Sequence, residues 1–215
     1  MKFDESQVDR IVDYIMERIA EPRVELEASG RHVHLSREAI DILFGVGYRL
    51  DFKSNLSQPG QYSCKERVRV VGEKSSFPAV VILGPERSET QVEISKTDAT
   101  LLGMPVPVRL SGNIEDTPGA LLVGPKGELR IERGVIVAQR HIHMLPVFAE
   151  LYGFHDKQEV SVRVDGERSV TFHEVVVRVS PNFANYMHID YDEANACGFV
   201  RGMTGMIGGG RHFGN

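Results

Sequence analysis

Over residues 4–20 the apolar positions fall at helical spacing. Val8, Ile11, Val12, Ile15, Met16 and Ile19 stand at i, i+3, i+4, i+7, i+8 and i+11, which predicts a helix with one apolar stripe. Asp4 is placed to cap it and Pro22 to close it. A helix of this length is marginal alone in water, so its stripe needs a surface: the body of the chain, a dimer mate or another partner. Ser36–Phe44 predicts a second helix, with Ser36 as cap, Ile40, Leu43 and Phe44 inward, and Gly45 and Gly47 ending it. Beyond this the period shortens. The segments "RVRVVG" (67–72), "AVVILG" (79–84), "TQVEIS" (90–95), "VPVRLSG" (106–112), "GALLVG" (119–124), "ELRIERGVIVA" (128–138), "EVSVRV" (159–164) and "VTFHEVVVRVS" (170–180) are rich in Val and Ile and separated by Gly, Pro, Asp or Ser. Many short strands at this spacing predict a mainly β chain of barrels or sandwiches. Two brief helices fit after Pro146 and after Asp190, and the Gly-rich 201–215 reads as a loose tail.

A repeat changes this picture. Arg-His-x-His occurs twice, "RHVH" from Arg31 and "RHIH" from Arg140, and holds four of the eight histidines. Each copy is followed by a short helical pattern that contains a Phe and ends at Gly. A second pair, "EISKTDATLLG" (93–103) and "HIDYDEANACG" (188–198), aligns without gaps, Glu93 on His188, Ala99 on Ala194 and Gly103 on Gly198. The chain therefore reads as two related halves, 23–125 and 126–200, preceded by the helix of 1–22 and followed by the tail.

Each half offers an H-x-H and one later ligand: His32, His34 and Glu93, then His141, His143 and His188. On a strand, residues i and i+2 face the same side, so H-x-H presents two imidazoles to one ion. A third ligand from a distant strand makes a three-ligand site with an open position, the form catalytic zinc takes. Zinc is the first choice by ligand type among first-row divalent ions.

Composition excludes more than it selects. The 215 residues are 41% hydrophobic and 26% charged, with a net charge of −5; they give no global signal for nucleic acid. No Trp is present, which argues against a stacking platform for single strands. Cys64 and Cys197 are far apart and form no C-x-x-C, so neither a disulfide framework nor a thiolate zinc site is expected, and a reducing cytoplasm fits best. No secretory signal and no apolar run of about 18 residues is seen. His155, His173 and His212 lack spacing partners and read as surface residues; Cys64 reads as a bystander thiol in preference to a nucleophile. Arg87 lies on a Gly-Pro turn six residues before Glu93, where a guanidinium suits a phosphate or other anion.

The segments "RHVHLS", "QPGQY", "LGPERSETQVEIS", "VPVRLSG", "GVIVAQRHIHM" and "HIDYDEANACG" resemble the phosphate propanoyltransferase family, the phosphotransacylases of metabolosome-type bacterial microcompartments. The resemblance runs from Val24 to Gly198. It implies paired β-barrels and reversible transfer of a short acyl group, propanoyl or acetyl, between coenzyme A and inorganic phosphate. It further implies two zinc ions sharing one active site at the junction of the halves, one held by His32, His34 and Glu93 near the coenzyme A sulfur, the other by His141, His143 and His188. Arg87 would contact phosphate. A homodimer, a bacterial cytoplasmic location inside a microcompartment, and an N-terminal helix that docks on the shell or on a neighbour such as an aldehyde dehydrogenase belong to the same expectation, with no nucleic-acid or membrane partner. Without the resemblance, the double H-x-H would also fit a cupin-like metal-dependent small-molecule oxygenase or isomerase, or a non-enzymatic metal-binding or scaffold protein.

Overall fold

In the computed structural model, residues 4, 6–8, 10 and 21–209 are described. The stripe expected over 4–20 lies mostly outside them. At its start the Asp4 carboxylate accepts the Gln7 N–H at 2.8 Å, and the Gln7 side chain accepts the Asp4 N–H at 3.0 Å, a reciprocal cap. The elements that follow are β1 (Arg23–Ser29), β2 (His32–His34), α1 (Arg37–Phe44), β3 (Phe52–Asn55), β4 (Tyr62–Val71), β5 (Ser76–Gly84), β6 (Gln91–Ile94), α2 (Lys96–Leu102), β7 (Val108–Arg109), β8 (Ala120–Val123), β9 (Glu128–Ile131), β10 (Val135–Ala138), β11 (His141–Met144), α3 (Pro146–Tyr152), β12 (Glu159–Val164), β13 (Val170–Val179), β14 (Tyr186–Asp190), α4 (Tyr191–Cys197) and β15 (Thr204–Gly208). Among the described residues, no helix is long and apolar enough to cross a membrane.

The fold is mainly β, as its strand periodicity predicts. Strands β1-β14-β11-β13-β12-β15 close into a six-stranded barrel. The others form an open, half-barrel sheet, β7-β10-β6-β2-β5-β4-β8-β9, with β3 added to β4. The sequence repeat is a repeat of pairing. β2 runs antiparallel to β6 and parallel to β5; β11 runs antiparallel to β14 and parallel to β13. The register matches residue for residue: His32 stands opposite Glu93, and His141 opposite His188.

The division of the chain differs from the sequence halves. One compact unit holds the described residues up to Glu27, His141–His188 and those from Ala196; the other holds Ala28–Arg140 and Ile189–Asn195. The changeover thus falls after Arg140, not after 125. Strand β9 stays with the open sheet through a local hairpin, Ala120 opposite Ile131 and Val123 opposite Glu128. Strand β10 stays through parallel pairing with β6, where Val135 and Val137 join the buried core. "ELRIERGVIVA" is split at Gly134, whose φ is +119° and whose added Cβ would lie 2.6 Å from the Thr90 carbonyl oxygen, so no side chain fits there. The strand entering each Arg-His-x-His therefore belongs to the other half's sheet: β1 neighbours β14 and pairs with β15, while β10 pairs with β6.

The tail is not loose where it is described. Thr204–Gly208 is the strand that closes the barrel, and a Cβ on Gly205 would meet Val162 Cγ1 at 2.4 Å. Its glycine content there serves close approach of neighbouring side chains. Residues 210–215, with His212, lie outside the described part.

Helix α1 forms as its pattern predicts, with the Ser36 hydroxyl accepting the Ala39 N–H at 3.2 Å and Ala39, Ile40, Leu43 and Phe44 buried. With Val33, Ile82, Val92 and Leu122 these make the core of the open sheet; truncating one of the large aliphatic residues to Ala costs about 2–5 kcal/mol. Helix α2 is absent from the hydrophobic pattern, because "KTDATLL" is mixed in polarity. It forms through a capping box between Ser95 and Asp98 and by burying Ala99 and Leu102.

Candidate metal centres

Strand β2 is buried throughout, and its pleat turns His32 and His34 to one side, where β6 brings Glu93. Nε2 of His32 lies 3.5 Å from Oε2 of Glu93, and Nε2 of His34 lies 3.8 Å from Oε1. Four-coordinate zinc, at ~2.0–2.1 Å from each donor, spaces its ligand atoms about 3.3 Å apart, so this triad fits such an ion closely. The tautomer fits as well. Nδ1 of His32 lies 2.8 Å from the Gly30 carbonyl; a carbonyl only accepts, so Nδ1 carries the proton and Nε2 is the nitrogen that would ligate an ion.

The electrostatics of this triad put Glu93 and His34 in ligating form. Burial works to raise the Glu93 carboxyl, but His32, His34 and the Ser111 hydroxyl outweigh it and hold the group well below the usual carboxylate range. Burial, then His32, pushes His34 down to about 3. Burial lowers His32 too, but the Glu93 carboxylate and the Gly30 carbonyl more than offset it. Gln91 and Ser111, which the motifs contain but the spacing does not single out, hold Glu93 in place: Gln91 Nε2 donates to Oε1 at 2.6 Å and the Ser111 hydroxyl at 2.7 Å.

The second triad sits on the barrel. On β11, Ile142 and Met144 face inward, fully buried, and His141 and His143 take the other face. On β14, Met187 and Ile189 are buried and His188 joins the histidines. Ligand atoms of the three lie within 4.8 Å of one another, as do those of the first triad. His141 stacks on His188 with centroids 5.2 Å apart, and Phe183, missed by spacing, stacks on His143 at 4.1 Å. Burial, then the neighbouring His141 and His188, pushes His143 down to about 2, so its ring is neutral. Its Nδ1 is buried with no hydrogen-bond partner, a cost of ~1–3 kcal/mol that a cation held at this nitrogen would remove. Both donor sets fit a divalent ion.

The arginine of each Arg-His-x-His has its own counterpart. Arg31 makes a bidentate pair with Asp98, Nη2 at 2.6 Å and Nε at 2.9 Å. Arg140 donates to Glu193 at 2.8 Å. Asp98 and Glu193 are equivalent in the repeat, and each also closes a capping box, with Ser95 and with Asp190. Each arginine thus ties the backbone entering an H-x-H to the helix that follows the third ligand.

Arg87 is set beside the first triad. Its backbone N–H donates to the Leu35 carbonyl at 3.0 Å, and Nη1 donates to the Ser111 hydroxyl at 3.1 Å. Ser111 in turn donates to Glu93, so Arg87 and the carboxylate are linked through one hydroxyl. Its charge is among the causes that lower His32 and His34. The remaining sequence candidates lie elsewhere. His155 and His173 are exposed, the latter 2.8 Å from the Ser161 hydroxyl. Cys64 and Cys197 are buried, and burial, then Glu66, pushes the Cys64 thiol up to about 11.

Comparison with known proteins gives this arrangement a family. Residues 25–200 match the family profile described as phosphate propanoyltransferase. The chain belongs to the phosphate propanoyltransferase family. A relative so named from Listeria monocytogenes serovar 1/2a is 57% identical over 189 residues, covering 88% of this chain and 89% of its own. One from Enterococcus faecalis is 53% identical over 203 residues, covering 93% and 96%. One from Thermotoga maritima is 50% identical over 195 residues, covering 86% and 93%. As a member of the phosphate propanoyltransferase family the chain is an acyltransferase, which sets aside the cupin-like and scaffold alternatives.

Proposed function

We propose that this member moves a short acyl group, propanoyl or acetyl, reversibly between coenzyme A and inorganic phosphate, with two divalent ions, zinc by ligand type. His32, His34 and Glu93 would hold one ion, and His141, His143 and His188 the other. The observation that carries the reading is the Arg87–Ser111–Glu93 linkage, a guanidinium beside a metal-type triad, which supports phosphate binding there.

Phosphate and a thioester meet slowly in water because the nucleophile is anionic, strongly hydrated and unoriented. Arg87 offsets its charge and holds two oxygens in a planar fork. Ser111 fixes the guanidinium, so the fork is positioned before phosphate arrives. A phosphate oxygen then bonds to the acyl carbon, the carbon–sulfur bond breaks, and the electron pair leaves with the coenzyme A sulfur. In reverse, the thiolate attacks the acyl phosphate and phosphate departs onto Arg87. Divalent metal in the triads supplies Lewis acidity, which favours a thiolate over a thiol and stabilises negative charge on the acyl oxygen. Glu93 and the histidines need no proton change in this scheme, and no enzyme nucleophile is used.

Thiol release from propanoyl-CoA and acetyl-CoA tests the reading, each with and without phosphate. Release is expected to depend on phosphate, and the faster of the two substrates names the acyl group. Cys64→Ala, which removes a buried thiol of raised pKa, should keep its turnover. Phosphate-independent release, or a trapped acyl-enzyme lost in Cys64→Ala, rejects direct transfer.

The apolar stripe of residues 4–20 supports docking on a microcompartment shell or a neighbouring aldehyde dehydrogenase in the bacterial cytoplasm, the alternative being a helix packed on its own subunit or on a dimer mate. Deleting residues 1–21 should then leave turnover intact and reduce self-association in size-exclusion profiles; lost activity with a lowered Tm rejects docking in favour of a structural helix.

A further inference from the structure

One carboxylate beside the second triad has no part in the scheme above. Glu27, on β1, places Oε2 3.4 Å from Nδ1 of His188. In the barrel β1 neighbours β14 and β14 neighbours β11. On β1 the buried residues are Val24 and Leu26, so the pleat turns Glu27 to the face that carries His188, His141 and His143.

The repeat gives this contact a reason. Glu27 stands four residues before Arg31, and Ile136 four residues before Arg140. Ile136 pairs with Glu93 across β10 and β6 and is fully buried. Where the third ligand is a carboxylate, the equivalent neighbouring position is therefore apolar. Where the third ligand is an imidazole, that position carries the carboxylate. The first triad offers one negative charge to a divalent ion and the second, three imidazoles, offers none; Glu27 supplies the missing charge from behind His188. His32 has its Nδ1 2.8 Å from the Gly30 carbonyl, and His188 has its Nδ1 3.4 Å from Glu27.

We propose that Glu27 is a positioning residue of the second metal centre: it accepts the Nδ1–H of His188 and so presents Nε2 as the ligating nitrogen. The inference rests on the metal reading above. A carboxylate behind a ligating histidine fixes its tautomer and orientation and raises its basicity, and losing it weakens metal binding by about 10–100-fold. The Glu27 side chain is 35% exposed; water screens part of its charge, which puts the expected loss nearer ten-fold.

The test is a titration of the full chain with zinc alone, in competition with a chromophoric chelator, for the parent protein, Glu27→Gln and Glu27→Asp. The parent should take two ions. In Glu27→Gln one ion should bind roughly ten-fold more weakly and the other as before, with part of the loss recovered in Glu27→Asp. The weakened ion should be the one that His141→Ala is expected to lose, so adding Glu27→Gln to that variant should leave its remaining affinity unchanged. Two ions bound by Glu27→Gln with parental affinities overturn the inference and leave the metal reading standing. Weakening of both ions with a fall in Tm also overturns it, since that marks a structural role. A parent chain that takes fewer than two ions overturns the metal reading and this inference with it.

Discussion

Dialysis against a strong chelator is expected to bring turnover to background, and adding back two equivalents of zinc to restore it. The basis is the state of the two donor sets. Glu93 is held ionised and His143 neutral, the forms that bind metal. The donors of the first triad are spaced for a small tetrahedral ion. His141→Ala should lose one ion and largely keep the other, because its strand and register partner lie in the barrel while the first triad is built on β2 and β6. Elemental analysis decides it: active protein free of bound metal ends the dinuclear proposal.

Replacing Arg87 with Ala should weaken use of phosphate by about 10- to 150-fold, the equivalent of losing a charge-assisted contact of ~1.5–3 kcal/mol. The loss should fall on the KM for phosphate, on kcat, or on both, with less effect on coenzyme A. Arg87→Lys should recover only part, since a point charge does not reproduce the fork that Ser111 fixes. Unchanged phosphate kinetics in Arg87→Ala, with metal content intact, would remove Arg87 from the site.

The two triads were legible because the chain states them twice. The ungapped match of Glu93 to His188 predicts that both face an H-x-H, and the strand registers bring both there. The supporting residues were not legible. Glu27 looks like the polar half of an alternating strand, and only the placement of β1 beside β14 gives it a meaning. Ser111 and Gln91 are ordinary in composition; they matter because β7 and the following turn bring Ser111 onto Glu93 from a distance in sequence. The place of β10 in the open sheet was not legible for the same reason. Val135 and Val137 read as a strand, but whether that strand completes its own half or the other is a question of non-local pairing, which hydrophobic period does not encode.

The exchange of β1 also sets the order in which the protein is completed as it leaves the ribosome. The residues of the open sheet, Ala28 to Arg140, are synthesised in one stretch, and every strand partner within that sheet has emerged by then. The barrel has no such advantage. Its first strand is made before any strand of the open sheet, yet Arg23 pairs with Met206 and Glu25 with Thr204, the last described strand to appear. Until then the edge of β1 that faces β15 stays unpaired, the kind of surface that recruits strands from other chains. A message cut short before Thr204 therefore yields a chain with a folded first sheet, an open barrel and an exposed edge, which is a substrate for aggregation or proteolysis and not a half-active enzyme.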